Sequence, residues 1–193
     1  MPITFYKQSF ELLATSGEWT GTSAPANKGV IGTTFPYRKY LHVEGTIAGG
    51  TFNRLRVAKL NATPVTATCG ANIIETVLTT TTSNTTVVST SGWPLNLATS
   101  ATPKYFVFDI YNPTTSIKRC TGLVTHTSNV ASTAPGSARI AGVYDDVTGG
   151  IQFLDLASVT TLAGNTANNL SGSVVSTTTS GPLELYVWGK ADF

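Results

Sequence analysis

Charged residues are scarce in this chain of 193 residues, where they make up 11% of the total, and the formal net charge is +2. Soluble proteins average about 25% charged residues, so neutral hydroxyl and amide groups must cover much of the surface. The cations are scattered in small groups, such as Arg38 with Lys39 and Arg54 with Arg56. Nucleic-acid binding typically needs a denser basic stripe with aromatic residues inside it. The composition therefore predicts no nucleic-acid partner.

Cysteine and histidine are also rare, with two residues of each. Cys69 and Cys120 have neither CxxC spacing nor a neighbouring histidine, which argues against a zinc site. Spacing alone leaves their pairing open, and buried free thiols are the preferred interpretation. No metal or cofactor is predicted.

Long apolar runs are missing as well, and none approaches the ~20 residues that a membrane-spanning helix needs. The first residues, MPITFYKQSFELLATSG, lack the basic segment followed by an apolar segment that marks a secretory signal. We therefore predict no membrane partner and folding in a cytoplasm.

The common catalytic motifs are absent: there is no G-x-S-x-G, P-loop, G-x-G-x-x-G or H-E-x-x-H. His126, Asp109 and one of the many serines could form a triad in space, but His42 and His126 on strands are more simply solvated. Asp145 and Asp146 could help a loop to bind Ca²⁺, although aspartate is also a common turn residue and that interpretation is preferred. We predict that the chain is not an enzyme and assign no catalytic residues.

Threonine is abundant instead, with 34 residues beside 18 glycines and 9 prolines. Its branched β-carbon suits extended strands, while glycine and proline punctuate turns. Several segments alternate apolar and polar residues with the period of two that indicates a strand. They predict hairpins between 37–48 and 51–60, 104–111 and 117–128, and 138–146 and 151–159, with further strands at 73–80 and 84–90 around a turn at Ser83-Asn84.

Together these patterns predict one all-β domain over residues 1–193, an antiparallel β-sandwich that is jelly-roll-like, with long Thr/Ser/Gly-rich loops. Residues 61–103 form an irregular insert. The inward-facing residues of two strands are the predicted core: Phe106, Phe108, Ile110, Leu183, Leu185 and Val187.

Aromatic residues provide the candidate functional positions. In the final strand, Tyr186 and Trp188 alternate with the apolar residues, so both faces would be covered, which a lone two-layer sandwich does not provide. We interpret Tyr186, Trp188 and Phe193 as contacts with a neighbouring subunit. Trp19 and Trp93 lie in polar, glycine-rich segments and are candidates for binding glycans.

Five segments in a fixed order carry a resemblance: FELLATSG, YRKYLHVEGTI, FDIYNPTTSIKRCTG, TGGIQFLDL and GPLELYVWG. This order resembles the β-sandwich domains of structural proteins from tailed bacteriophages, except for the insert at 61–103. The resemblance implies a virion part assembled in the bacterial cytoplasm, either a head decoration (cement) protein or a fibre-tip or baseplate protein. It also implies phage capsid or tail proteins as partners, a homo-oligomer with a trimer favoured, and no catalytic residues.

Three functions follow as hypotheses. The first is a non-enzymatic virion structural protein that decorates the capsid. The second is a tail or fibre adhesin, or a carbohydrate-binding module, that recognises host surface glycans through Trp19 and Trp93. The third is a small hydrolase, which would require His126 beside a serine and an aspartate.

Overall fold

The structure of the protein is a computed structural model. It describes residues 10–15, 35–47, 52–59, 69–77, 80–89, 92–95, 104–127, 135–159 and 183–190. Trp19, Phe193 and the ends of the predicted insert lie outside these ranges.

Every regular element of the described part of the chain is a strand, which confirms the all-β prediction. The eleven strands are β1 (Glu11–Thr15), β2 (Tyr40–Ile47), β3 (Phe52–Lys59), β4 (Cys69–Val77), β5 (Thr80–Ser89), β6 (Trp93–Pro94), β7 (Lys104–Tyr111), β8 (Lys118–Thr127), β9 (Pro135–Tyr144), β10 (Ile151–Val159) and β11 (Leu183–Lys190). They form an eight-stranded sheet in the order β1-β11-β2-β7-β8-β9-β4-β5 and a three-stranded sheet in the order β10-β3-β6. All pairings are antiparallel.

The two sheets share one apolar core, so they form the two layers of a sandwich. Phe106, Phe108 and Ile110 of β7 are buried beneath the large sheet, as the alternation of that strand predicts. Leu154 and Leu156 of β10 meet them from the small sheet. Leu185 and Val187 of β11 are also fully buried, which confirms the facing assigned to the last strand.

Two of the predicted hairpins are present. Strands β7 and β8 pair over their full length across the Asn-Pro turn. Strands β4 and β5 also pair, but Ser83 and Asn84 lie inside β5, so the turn predicted there is wrong. Serine and asparagine are common in turns, but in this threonine-rich run they lie within the strand and not at its end.

The other two predicted hairpins are wrong. Strand β2 pairs with β11 and β7, while β3 pairs with β10 and β6. Likewise β9 belongs to the large sheet and β10 to the small one. In both cases the chain crosses from one layer to the other, because both edges of β2 and β9 are already occupied by different strands of the large sheet.

Strand β11 lies between β1 and β2 and not at an edge of the sheet. Among the described strands, β1 and β5 form the edges of the large sheet. The backbone of β11 is therefore hydrogen-bonded to a strand on each side. Its outward-facing aromatic side chains lie between those of β1 and β2 on one continuous face of the large sheet.

Candidate functional site

The face of the large sheet that points away from the core is called here the outer face. Its residues are the exposed or half-buried positions of each strand, and the strand registers align them in rows. One row runs across five strands: Trp188, His42, Asp109, Thr121 and Ala141. A sheet of antiparallel strands can expose one face in this way while the other face packs on the core.

A groove crosses one end of the outer face, where β2 begins and β7 ends. It has a volume of about 680 Å³. We call it the tyrosine groove, and the side chains that define it are Phe10, Tyr40, Asp109, Tyr111, Arg119, Thr121, Ala141, Val143 and Lys190. At its floor the rings of Tyr40 and Tyr111, opposite each other in the β2–β7 ladder, have centroids 5.4 Å apart and are tilted by 41°.

Cations surround these two rings. The Lys39 ammonium lies 6.0 Å from the Tyr40 ring centroid and 5.9 Å from that of Tyr111, within the range of a cation–π contact. Arg119 and Lys190 continue the same row on either side of the tyrosines. Neither of their side chains has an ion pair or a hydrogen bond with the described part of the chain.

A histidine between two carboxylates borders the groove. His42 Nδ1 lies 2.7 Å from Asp109 Oδ1, and Nε2 lies 3.0 Å from Glu44 Oε1. Partial burial lowers the pKa of His42, but the hydrogen bonds and negative charge of Asp109 and Glu44 outweigh it, so the net pKa is raised. The imidazolium is therefore favoured here.

The raised pKa of His42 can be tested by titration. Because the folded-state pKa exceeds the unfolded value of 6.5, the charged contacts stabilise the fold below that pH. The contribution is lost as the pH rises through the folded-state pKa. Titration of the His42 ring protons by NMR is expected to show a midpoint above 6.5, and Asp109→Asn should lower it. A midpoint at or below 6.5 in the folded protein would contradict this account.

A second, less polar region lies further along the strands and is called here the apolar patch: Ile74, Tyr105, Val107 and Leu123. Val107 and Leu123 oppose each other in the β7–β8 ladder, and Arg139 of β9 separates Leu123 from Ile74. Leu123 and Tyr105 are each 46% exposed and Ile74 is 41% exposed. A groove of about 570 Å³ runs between Ile74, Val107 and Leu123.

The predicted contact residues of β11 lie on the outer face, as the alternation indicates. Tyr186 and Trp188 are half-buried, and their rings stack 5.5 Å apart. Trp188 also contacts the His42 ring at 5.7 Å, and the Tyr186 hydroxyl donates to Glu184. The chain itself therefore covers part of both aromatic side chains. Phe193 lies outside the described residues.

The prediction that Trp93 is a loop residue available to glycans is wrong. Trp93 is fully buried in β6, and its ring lies parallel to Phe108 at 6.1 Å. Its Nε1 donates to the Val143 carbonyl at 3.0 Å. Gly142 makes this approach possible, because a Cβ there would lie 2.7 Å from Trp93 Nε1. Trp19, the other glycan candidate, lies outside the described residues.

The triad considered as an alternative, with His126 and Asp109, does not assemble. His126 pairs with Lys104, whereas Asp109 pairs with Thr121, five residues away along β8. Asp109 instead contacts His42.

Asp146 acts as a turn residue, accepting hydrogen bonds from the backbone N–H and the hydroxyl of Thr148. Over the described ranges, no group of three or more His, Cys, Asp or Glu side chains is arranged to hold a metal ion.

The two cysteines are buried free thiols, as predicted. Cys69 on β4 and Cys120 on β8 flank β9 from opposite sides, facing Tyr144 and Gly142 in the ladders. Two strand spacings amount to roughly 9.6 Å, beyond the ~6.8 Å that Cα atoms of a disulfide span. Burial raises the pKa of the Cys120 thiol well above its ordinary value, so it stays protonated and unreactive at neutral pH.

Sequence reasoning missed the tyrosine groove. The alternation of β2 and β7 places Tyr40 and Tyr111 on outward positions, but only the ladder registers show that they are adjacent.

No helix in the described ranges is long and apolar enough to cross a membrane. Comparisons of the chain with models of known protein families, with curated proteins and with solved structures found no match.

Proposed function

We propose that the chain is a non-enzymatic virion structural protein that attaches to the head of a tailed phage as a decoration (cement) subunit. The observation that supports this most directly is the apolar patch, which a rigid sheet holds exposed on its outer face. Contiguous exposed apolar side chains are characteristic of surfaces that bind another protein.

The composition of the patch suits a protein partner. Leu123 and Val107 form its centre, Tyr105 adds an aromatic ring, and Arg139 lies between Leu123 and Ile74. Tyrosine and arginine are enriched at protein interfaces. Tyr186 lies in the same row as Val107, beyond Glu44, so it would contact the partner at the border of the patch.

The two edges of the large sheet differ in how readily they can pair with another subunit. Strand β1 is short, contains a register shift and carries Glu11, which accepts a 2.7 Å hydrogen bond from Arg38 Nε. Such features protect an edge from pairing with other chains. Strand β5 has ten residues, no charge and no proline, and β4 is its one neighbour among the described strands. An edge of this kind favours the homo-oligomer that the resemblance implies.

The test is rebinding to stripped particles of the phage that carries the protein. Wild-type protein is expected to rebind, and Leu123→Asp to lose most of its binding because a carboxylate would be desolvated in the contact. Val147→Asp is the matched control, since Val147 is 48% exposed but lies in the crossover between β9 and β10. A wild-type protein that never binds particles, or a Leu123→Asp variant that binds as well as Val147→Asp, would overturn the proposal.

A second candidate function is recognition of host surface glycans, as a tail or fibre adhesin or a carbohydrate-binding module. Trp93 no longer supports it, because that side chain is part of the core. The tyrosine groove favours it instead, since it presents two adjacent rings beside charged and hydroxyl groups.

A further inference from the structure

We propose that the tyrosine groove is a binding site for an acidic oligosaccharide, one whose sugar rings carry carboxylate groups. This inference rests on the second candidate function, glycan recognition, and assigns it to residues other than the tryptophans. Three features of the groove support this proposal. They are a pair of aromatic rings, a cation on each side of that pair in the same row, and a carboxylate in the neighbouring row.

The aromatic pair provides the stacking surface. Tyr40 is 40% exposed and Tyr111 is half-buried, and their rings are tilted so that together they form a shallow floor. A pyranose ring has one face of C–H groups, whose partial positive charge complements the negative face of an aromatic ring. Neither tyrosine hydroxyl is engaged in a hydrogen bond with the described residues, so both remain able to bond to sugar hydroxyls.

The cations select for negative charge. Lys190, Tyr40, Tyr111 and Arg119 follow one another across β11, β2, β7 and β8. Three strand spacings separate the two cations by roughly 14 Å, which is wide enough for several linked sugars. Arg119 can hold a carboxylate with two parallel hydrogen bonds, and Lys39 above the tyrosine rings adds a third positive charge.

Asp109 distinguishes a sugar from a nucleic acid. Its side chain is 68% exposed in the groove, and His42 contacts one of its oxygens. The other oxygen can accept a hydrogen bond from a sugar hydroxyl but would repel any anion, so the carboxylates of the sugar must lie over the row of cations and its hydroxyls over Asp109. A nucleic-acid strand needs cations along its whole backbone, but the next two rows carry the carboxylates Asp109 and Glu44.

The tyrosine groove and the groove of the apolar patch adjoin, because Asp109, Thr121 and Ala141 line both of them, but the side chains at their far ends lie well apart. Arg119 and Leu123 are four residues apart on β8, roughly 13 Å at the rise of a strand. A subunit attached through the patch can therefore leave the groove at the other end of the strands open. Attachment through Leu123 and sugar binding at Arg119 thus depend on different side chains of the same face.

The experiment measures binding of polygalacturonate oligomers by calorimetry, with carboxyl-reduced oligomers of the same backbone as the uncharged control and single-stranded DNA as the alternative polyanion. Wild-type protein is expected to bind the acidic oligomers and to bind the reduced form at least ~10-fold more weakly, because a charge-assisted hydrogen bond is worth about 1.5–3 kcal/mol. Equal affinity for both sugars, preference for DNA, or no binding to any of them would overturn the proposal.

Matched variants locate the site. Arg119→Gln is expected to weaken binding of the acidic oligomers about tenfold or more and to leave the reduced oligomers unaffected, because it removes the positive charge and the paired hydrogen bonds to a carboxylate. Arg139→Gln, on the same face but beside the apolar patch, should bind like wild type. Tyr111→Ala should weaken binding of both sugars, whereas Tyr105→Ala on the same strand should not. Equal effects of Arg119→Gln and Arg139→Gln would show that the groove is not the site.

These results are distinguishable from those of the attachment test. Arg119→Gln is expected to rebind stripped particles normally, and Leu123→Asp is expected to bind the acidic oligomers normally. If the sugar does not bind while particles do, the inference about the groove fails and the decoration function stands. The opposite pattern would remove the decoration function and leave the groove.

Discussion

Phe108→Ala is expected to destabilise the fold by roughly 3–5 kcal/mol, the usual cost of truncating a buried phenylalanine. Phe108 is fully buried between the layers. It lies against Trp93 with centroids 6.1 Å apart and meets the edge of Phe106 at 6.2 Å. The void left by its ring is not easily filled, because the rigid strands of both layers hold its neighbours in place.

The packing around Phe108 explains why collapse cannot offset the loss. Its ring occupies the space above Gly122, where an added Cβ would lie 2.6 Å from a ring carbon. Glycine offers no side chain that could move into the cavity. For a chain of this size the melting temperature should fall by roughly 6–20 °C, measured by calorimetry.

Tyr105→Ala on the same strand is the control for Phe108→Ala. Tyr105 is 46% exposed on the outer face, so its truncation should change the free energy of unfolding by about 0.5 kcal/mol or less. Equal effects of the two variants would show that the facing of β7 is wrong.

Asn112→Ala is expected to cost about 3 kcal/mol or more, because it leaves several buried backbone groups without partners. The side chain is fully buried. Its Nδ2 donates to the carbonyls of Arg38 and Ile151, at 2.9 and 3.0 Å, and its Oδ1 accepts from the Ile151 N–H at 2.6 Å. One amide thus links the turn after β7 to the start of β10 and to the segment before β2.

Hydrogen exchange provides a local readout for Asn112→Ala. The Ile151 amide should lose protection first, since its acceptor is removed, and β10 should then open more readily from its first residue. Asn72→Ala is the control: Asn72 is exposed on β4, and its bond to Thr86 is 3.5 Å long. Its effect on unfolding should stay within about 0.5 kcal/mol. An unchanged Ile151 exchange rate in Asn112→Ala would contradict the assigned role.

Asn112 precedes Pro113, and an Asn-Pro pair between two alternating segments predicts a turn. That prediction is correct for the β7–β8 hairpin, but it describes the backbone and not the side chain. The partners of the side chain lie 74 and 39 residues away in the chain. A local pattern carries no information about such distant groups.

Trp93 shows the same limit in the candidate site. Its neighbours Ser91, Gly92 and Pro94 are typical of a loop, so the sequence favoured an exposed position. In the fold, β6 pairs with β3 and brings the indole over Gly142 and Phe108. Loop-like neighbours in the sequence did not prevent burial, because Gly92, Pro94 and Leu95 are themselves buried together with Trp93.

The sequence by itself determined the fold class and the facing of the strands. The period of two in KYFVFDIY and LELYVWGK is a local consequence of the pleat, which sends successive side chains to opposite faces, and both strands have the predicted facing. The tertiary structure alone decided that β2 leaves its sequence neighbour β3 for β7. It thereby placed Tyr40 against Tyr111 and His42 against Asp109. Strand order depends on which edges are already paired and on the total apolar area that two layers can bury, and neither quantity is contained in a local segment.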